Sequence, residues 1–362
     1  MKILHIAGAR PNFVKIASII KACKQTSEIE SVLVHTGQHY STKLSKTFFE
    51  ELNIPEPNIN LEVGSGSHAQ QTAEIMKRIE PVLLNQKPDA MLVVGDVNST
   101  IACALVAVKL GIKTIHVEAG LRSNDRAMPE EINRILTDAI SDILFVSESS
   151  GIDNLKHEGI PSSRIHFVGN VMIDTLQHNL EKAELSNILE QMKLSAKQYA
   201  VLTLHRPSNV DDYQTFNSII DALEEIQQER KVIFPIHPRT YNNLNNIGLT
   251  NRLEKLPGMI ITEPLGYLDF LKLMSQCKIM LTDSGGIQEE TTILGIPCLT
   301  LRENTERPIT ITEGTNTLVG TNKQRILEGY KNCMQQCFSK RKPRYWDGKA
   351  AERIAAILRD IL

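Results

Sequence analysis

No apolar run in the 362-residue sequence approaches the ~20 residues that would cross a bilayer; even Met91 to Val94 stops at strand length. A membrane-spanning protein is not expected. Met1 leads straight into an apolar strand pattern at Ile3 to Ile6, with no charged segment, apolar stretch and small-residue cleavage site ahead of it. That predicts a cytoplasmic chain. Neither sign of charge is in excess, since 40 basic residues meet 42 acidic ones and the formal net charge is −2. With no long run of one sign, nucleic acid and anionic lipid are not indicated as partners. The six cysteines (Cys23, Cys103, Cys277, Cys298, Cys333 and Cys337) are too sparse for the framework of a small secreted domain, so reduced thiols are expected. Cys333 and Cys337 stand one helical turn apart, but no second pair or nearby histidine completes a metal site. Internal repeats and low-complexity tracts are missing too.

What remains is an ordinary globular composition, 41% apolar and 23% charged. The length exceeds one hydrophobic core and predicts two domains with a cleft between them. Short β-branched runs alternate with longer amphipathic segments, the rhythm of βαβ units around parallel sheets. In the first half the strand candidates are Lys2–Ala7, Ser31–His35, Ala90–Gly95, Lys113–Val117, Ile143–Val146 and Ile165–Val168. After about Asp174 the rhythm restarts with Ala200–Leu204, Val232–Ile236, Met259–Thr262, Ile279–Thr282, Cys298–Leu301 and Thr317–Val319. Residues 1–172 and 173–347 are the expected domains, joined by a charged helical stretch from Gln177 to Gln198. A helical pattern over 348–362 is a candidate to pack back on the first domain.

In doubly wound sheets ligands bind outside the carboxyl ends of the strands, so polar residues there are candidates. After the first strand, Gly8-Ala9-Arg10-Pro11-Asn12-Phe13-Val14-Lys15 reads as a glycine turn into a helix carrying two cations, Arg10 and Lys15, which suits an anion. The alternative is a solvated helix face. Asp96 follows the next strand in Gly95-Asp96, and Glu118 follows another in Glu118-Ala119-Gly120-Leu121-Arg122. Glu130 follows Pro129 at a helix start. Three acids at strand and helix ends suit acid–base catalysis, although each has a structural alternative: Asp96 as helix N-cap, Glu118 as ion-pair partner of Arg122, Glu130 as dipole complement.

In the second half His205 and His237 each end a strand, and a pair at equivalent ends makes at least one a candidate diphosphate ligand. In Thr282-Asp283-Ser284-Gly285-Gly286-Ile287-Gln288-Glu289-Glu290 a strand ends, two glycines turn and a helix begins. Ser284, Gly285 and Gly286 can offer backbone N–H groups to phosphate, and Glu290 can accept from ribose hydroxyls. Gly64-Ser65-Gly66-Ser67-His68-Ala69 fits the dinucleotide fingerprint, but it follows the polar stretch Asn58 to Glu62 instead of a buried first strand. No nicotinamide cofactor is expected.

Gly8-Ala9-Arg10-Pro11, Gly37-Gln38-His39, Gly95-Asp96, His116-Val117-Glu118-Ala119-Gly120-Leu121-Arg122, Pro129-Glu130-Glu131-x-Asn133-Arg134, Asp283-Ser284-Gly285-Gly286 and Thr305-Glu306-Arg307-Pro308 together resemble the UDP-N-acetylglucosamine 2-epimerases, non-hydrolysing branch. The resemblance spans nearly the whole chain. It implies the GT-B fold, two Rossmann-like doubly wound domains facing across a cleft, and a homodimer needing neither metal nor cofactor. It implies Asp96, Glu118 and Glu130 as the acid/base set, with His205 also counted as catalytic. Around UDP it places Arg10, Lys15, His205, Ser284, Gly285, Gly286, Glu290 and Arg307, with Phe270 near the uracil; Arg122, Arg134 and His237 join the substrate-binding candidates. The implied reaction inverts C2 of a UDP-2-acetamido sugar in polysaccharide biosynthesis. Alternatives are a hydrolysing epimerase, an epimerase of a UDP-diacetamido-uronic acid, a GT-B glycosyltransferase and a non-catalytic UDP-sugar sensor.

In the best-known bacterial members of that family a second UDP-N-acetylglucosamine activates the reverse reaction through a segment reading Gln-His-Arg. Here the segment is Gln38-His39-Tyr40-Ser41. Neither tyrosine nor serine replaces the permanently charged fork of arginine, so a weak or absent second site is expected unless Lys43, Lys46 or His68 supplies the cation. Conversion of the manno epimer alone should therefore proceed without a trace of the gluco epimer; a reaction silent until that trace is added refutes this reading.

Overall fold

A computed structural model describes residues 1–26, 28–37, 51–52, 54–335 and 342–361, with the side chain of Arg10 outside the described set. His39, Tyr40, Ser41, Lys43, Lys46 and Cys337 therefore lie outside the described residues. The chain divides into two compact units, residues 1–178 with 343–362, and residues 179–342.

The first unit is built on a parallel sheet of seven strands: β1 Lys2–Ala7, β2 Glu30–His35, β3 Ile59–Asn60, β4 Ala90–Val94, β5 Lys113–Ala119, β6 Ile143–Val146 and β7 Ile165–Phe167. Their order is β3-β2-β1-β4-β5-β6-β7. In β1 the register runs from Lys2 opposite Glu30 to Ala7 opposite His35, while Ile3 faces Ala90 on the other side. Continuous apolar runs such as Ala90–Val94 are what a sheet covered on both faces requires, and every residue of β4 is buried. Leu4, Ile6, Met91 and Val93 pack against Ile75, Ile79 and Leu83 of the helix His68–Gln86, each fully buried side chain contributing ~1.5–3 kcal/mol. The strand β3 falls within the expected polar stretch. Its two residues pair with Val34 and His35, too short a run to show alternation.

The second unit repeats the plan with six parallel strands: β8 Tyr199–Thr203, β9 Lys231–Pro235, β10 Met259–Thr262, β11 Ile279–Thr282, β12 Cys298–Thr300 and β13 Asn316–Leu318. Their order is β10-β9-β8-β11-β12-β13. Phe216, Ile219, Leu223 and Ile226 line the buried face of the helix Tyr213–Glu229 and pack with Val232, Phe234 and Leu281. In both sheets the strand order reverses beside the first strand, at β1/β4 and at β8/β11. Those switch points are where crossover helices diverge to opposite faces and leave the strand ends open.

The terminal helix Ala350–Ile361 belongs to the first unit and packs on the helix Arg10–Lys24. Ala350, Ala351, Ile354, Ala355 and Leu358 form its buried stripe, at helical spacing. Asp174 caps it from a distant part of the chain, accepting from the N–H groups of Ala350 at 3.1 Å and Ala351 at 2.6 Å. Burial raises that carboxyl to about 6, against the pull of those two donors. The Trp346 indole donates to the Ser147 carbonyl at 2.9 Å and fixes the approach. Among the described residues no helix is long and apolar enough to cross a membrane.

After β5 the chain turns at Gly120, with φ +81°, and its backbone lies directly against Gly151; a Cβ here would stand 2.3 Å from the Gly151 carbonyl oxygen. Gly159 has the same φ but open space around it. Gly120→Ala is expected to lower the unfolding free energy by ~2 kcal/mol or more, and Gly159→Ala by only ~1 kcal/mol. Urea unfolding of the two variants checks this, and equal losses would show that backbone conformation, not contact, dominates.

Candidate active site

The expected acids of the first unit collect around its switch point, where the ends of β1, β4 and β5 lie side by side. Asn12, in the first turn after β1, accepts from the N–H groups of Gly8 at 3.2 Å and Ala9 at 2.9 Å and donates to the Val94 carbonyl at 3.0 Å. It ties the first turn to the end of β4. Gly95 follows with φ +71°, and a Cβ there would lie 3.3 Å from the Glu118 carboxylate, 3.4 Å from Asn12 and 3.6 Å from the Lys15 ammonium. Glycine leaves room for all three.

Glu118 is the extra residue of a β-bulge, because Val117 pairs with Phe145 and Ala119 with Val146. Its φ is +74°, a left-handed conformation costing a residue with a side chain ~1–3 kcal/mol. Bulges re-aim a side chain out of the pleat. Here the re-aimed carboxylate meets Lys15, and both side chains are buried. The structural alternative of a Glu118–Arg122 pair is not what forms. Arg122 pairs instead with Asp138 at 2.8 Å and Glu158 at 2.6 Å. Lys15, expected as a phosphate cation, has its ammonium committed to Glu118. Arg10 opens the helix, its side chain lying outside the described residues.

Asp96 is not the N-cap of the helix Asn98–Lys109; Val97 holds that position without a side-chain bond. The Asp96 carboxylate is gripped by Arg134, at 2.9 Å from Nε and 2.7 Å from Nη2. Arg134 comes from the helix Pro129–Ile140, which also carries Glu130, half-buried, in its first turn. Beneath Gly95 the buried His116 links the Gly95 carbonyl at 2.8 Å to Asp138 at 2.6 Å. Burial pushes the Asp138 carboxyl up, but His116 and Arg122 outweigh it and hold the group below its ordinary range. Sequence reasoning missed Asn12, Asp138 and Glu131; the buried carboxylates beside the Glu118 and Glu130 motifs were the available signal.

In the second unit, the ends of β8 and β11 carry the corresponding set. His205 is half-exposed, and its Nδ1 stands 2.8 Å from the fully buried Asp283. Asp283 also accepts the backbone N–H of Arg206 at 2.9 Å. Burial raises its carboxyl, yet His205 and these backbone donors together hold it below the usual range. It orients the imidazole, a role sequence reasoning did not assign although Asp283 directly follows a buried strand. His237 is exposed and caps the helix Pro238–Asn246, accepting from the Arg239 N–H at 3.2 Å.

Ser284 precedes the helix Gly285–Leu294, and its side chain does not close the N-terminus. A Cβ at Gly285 would stand 2.6 Å from the Glu306 carboxylate and 2.9 Å from the Arg307 guanidinium, so a side chain here would have to push the ends of both aside. Glu306 gathers Arg302 at 2.8 Å, Arg307 at 2.8 Å and, more loosely, Arg206 at 3.6 Å. Arg307 also pairs with Glu289 at 2.6 Å. This part of the unit is a largely buried network of three arginines and two glutamates next to a helix N-terminus, whose backbone N–H groups suit a diphosphate. One turn and a half along, Glu290 is buried and accepts from the Tyr267 hydroxyl at 3.2 Å. Phe270 stands one turn beyond Tyr267 on the helix Tyr267–Ser275, half-buried.

Two doubly wound parallel units with carboxylates and cations at their switch points define an α/β enzyme of the GT-B class. Residues 21–359 match the family model for UDP-N-acetylglucosamine 2-epimerase, and the chain belongs to that family. It is 46% identical over 100% of both chains to a UDP-N-acetylglucosamine 2-epimerase homolog of Methanococcus maripaludis. It is 42% identical, over 99% of each chain, to the UDP-2,3-diacetamido-2,3-dideoxy-D-glucuronate 2-epimerase of Pseudomonas aeruginosa. The crystal structure of the Methanocaldococcus jannaschii UDP-GlcNAc 2-epimerase in complex with UDP-GlcNAc and UDP superposes with a TM-score of 0.94 at 45% identity, covering 99% of this chain and 100% of that one.

Burial moves the Glu290 carboxyl from its ordinary 4.5 up to about 7, with Tyr267 opposing and Glu289 reinforcing the shift. Because the folded value is raised, its stabilising contribution is complete below about 4.5 and is lost as pH rises through about 7. Glu290→Gln should therefore gain stability relative to the parent protein between pH 5 and pH 8, by on the order of 3 kcal/mol. Calorimetric melting at the two pH values measures the difference, and parallel curves would refute it.

Proposed function

We propose that the enzyme inverts C2 of a UDP-2-acetamido sugar, interconverting UDP-GlcNAc and its manno epimer by eliminating UDP to a 2-acetamidoglucal and adding it back. The observation that carries this reading is the gathering of Asp96, Glu118 and Glu130 at the β4 and β5 ends and the next helix, with Glu118 held in a strained bulge. A glycosyltransferase shares the need for a nucleotide site but not for this set of acids. The C2 proton of a glycoside is not adjacent to a carbonyl and is not acidic. If the C1–O bond to UDP breaks first or nearly so, cationic character at C1 acidifies C2–H, and a carboxylate takes the proton while the C1–C2 double bond forms. Return of a proton to C2 from a carboxyl on the opposite face, with UDP oxygen bonding again to C1, completes the inversion. Two faces require more than one carboxyl.

Departure of the diphosphate needs concentrated positive charge, for which the reading uses His205, the backbone of Ser284, Gly285 and Gly286, and Arg10, while Arg307, buried between Glu289 and Glu306, orders the layer beside them. Glu290 is assigned to the ribose hydroxyls and Phe270 to the uracil. Lys15 and Arg122, each committed to carboxylates, support the acids in place of substrate contact. The active form is taken to be a cytoplasmic homodimer. The 42% identity to the Pseudomonas aeruginosa enzyme supports a second reading, in which the sugar is a diacetamido uronic acid.

Incubation of each UDP-sugar in deuterated water, followed by proton NMR, tests the mechanism and the substrate together. Solvent deuterium should appear at C2 of both epimers, with the UDP-sugar pool conserved. Protium retained at C2 after equilibration sinks the elimination route, and release of free N-acetylmannosamine with UDP would make the enzyme hydrolysing.

A further inference from the structure

The acid Asp96 does not stand alone at the end of β4: the helix Pro129–Ile140 reaches it twice. Asn133 donates from Nδ2 to the Asp96 main-chain carbonyl at 2.8 Å, and Arg134 donates from Nε and Nη2 to its Oδ2 at 2.9 and 2.7 Å. The other branch of the guanidinium, Nη1, bonds Glu131 at 2.5 Å. Glu131 in turn accepts from the backbone N–H groups of Ser123 at 3.0 Å and Asn124 at 2.8 Å, in the turn that follows Glu118 and Gly120. The side chains of Arg134 and Glu131 are 3% and 2% exposed, whereas Asp96 is 28% exposed. The chain of contacts thus begins in the turn at Ser123 and Asn124, passes through two buried side chains and ends on a partly open carboxylate.

We propose that Arg134 is a positioning residue for the epimerisation, acting through the Asp96 carboxylate and not on the substrate. The inference rests on the reading of Asp96 as one of the acid–base groups, and it replaces the expectation that Arg134 binds substrate. Three features carry it. The guanidinium is buried and spans two carboxylates, so a substrate group would have to displace one of them from a charge-assisted bond. The fork holds Oδ2 through two nitrogens, which fixes the position of that oxygen against the guanidinium plane as a single ammonium would not. Glu130 lies one turn before Arg134 on the same helix, so the clamp also sets where Asp96 stands relative to the second acid. Misplacing an acid–base group by about 1 Å is enough to cost ~10²-fold in rate.

The test is a double-mutant cycle on the full chain, comparing the parent protein, Arg134→Gln, Asp96→Asn and the double variant, with kcat and KM measured by NMR on the UDP-sugar that the parent turns over. Arg134→Gln should lower kcat ~10²-fold with KM and the UDP dissociation constant changed less than ~3-fold. In the Asp96→Asn background it should add no further loss, and Arg134→Lys should recover only part of the rate. Melting curves with UDP establish folding, and if Arg134→Gln does not fold, Arg134→Lys enters the same cycle in its place. A rise in KM with kcat preserved would make Arg134 a substrate ligand and overturn the proposal, as would losses that multiply in the double variant. If the parent itself turns over no UDP-sugar, the functional reading falls and this one with it; multiplied losses in an active enzyme overturn this one alone.

Discussion

The buried pair of Lys15 and Glu118 is the constraint around which the first unit is organised. An isolated carboxylate at the end of β5 would be costly to bury, and removing one member of a buried pair typically costs ~3–5 kcal/mol. The pair joins the first crossover helix to the fifth strand across the switch point, its partners 103 positions apart in the sequence. It offsets the left-handed backbone of Glu118, whose carboxylate reaches Lys15 from the bulge. It also explains the glycine at position 95, whose missing side chain leaves space for the ammonium, the carboxylate and the Asn12 amide.

The two units share one strand plan but use their open strand ends for opposite chemistry. In the first, carboxylates dominate, and Asp96, Glu118, Glu131 and Asp138 are each held by a cation or a backbone donor. In the second, a carboxylate is the organiser instead: Glu306 draws arginines together beside a helix N-terminus, and Asp283 orients a histidine. The same physical rule operates in both. A buried charge is retained only with partners, and the group left nearer solvent is Asp96 in one unit and His205 in the other.

The strands were legible wherever an apolar run is buried on both faces, as in β1, β4, β6 and β11, and the half-buried edge strand β10 was legible from its β-branched run alone. Their ends were less so, because the bulge at Glu118 carries β5 on to Ala119, two residues past the apolar run, and β3 has too few residues for a period. The motifs located the acids, the histidines and the glycine turn correctly along the chain. Their pairings were not legible, since proximity in sequence suggested Glu118 with Arg122 and capping statistics suggested Asp96 at a helix start. Arg122 is drawn to Asp138 and Glu158, and Asp96 to Arg134, by contacts that only tertiary packing creates. Asp283 illustrates the reverse case: its place after a buried strand was visible, but the imidazole it orients arrives from a different strand.

The return of residues 343–361 to the first unit makes that unit discontinuous, while the second is written in one uninterrupted stretch. On a ribosome, which emits the amino terminus first, the order of completion is therefore inverted. The second unit has all its residues before the last helix exists, whereas the first must wait, its Asp174 cap and the apolar face of the helix Arg10–Lys24 uncovered, until translation reaches the carboxyl terminus. The earliest-made half of the protein is the last to be finished, with apolar surface uncovered for longer during synthesis.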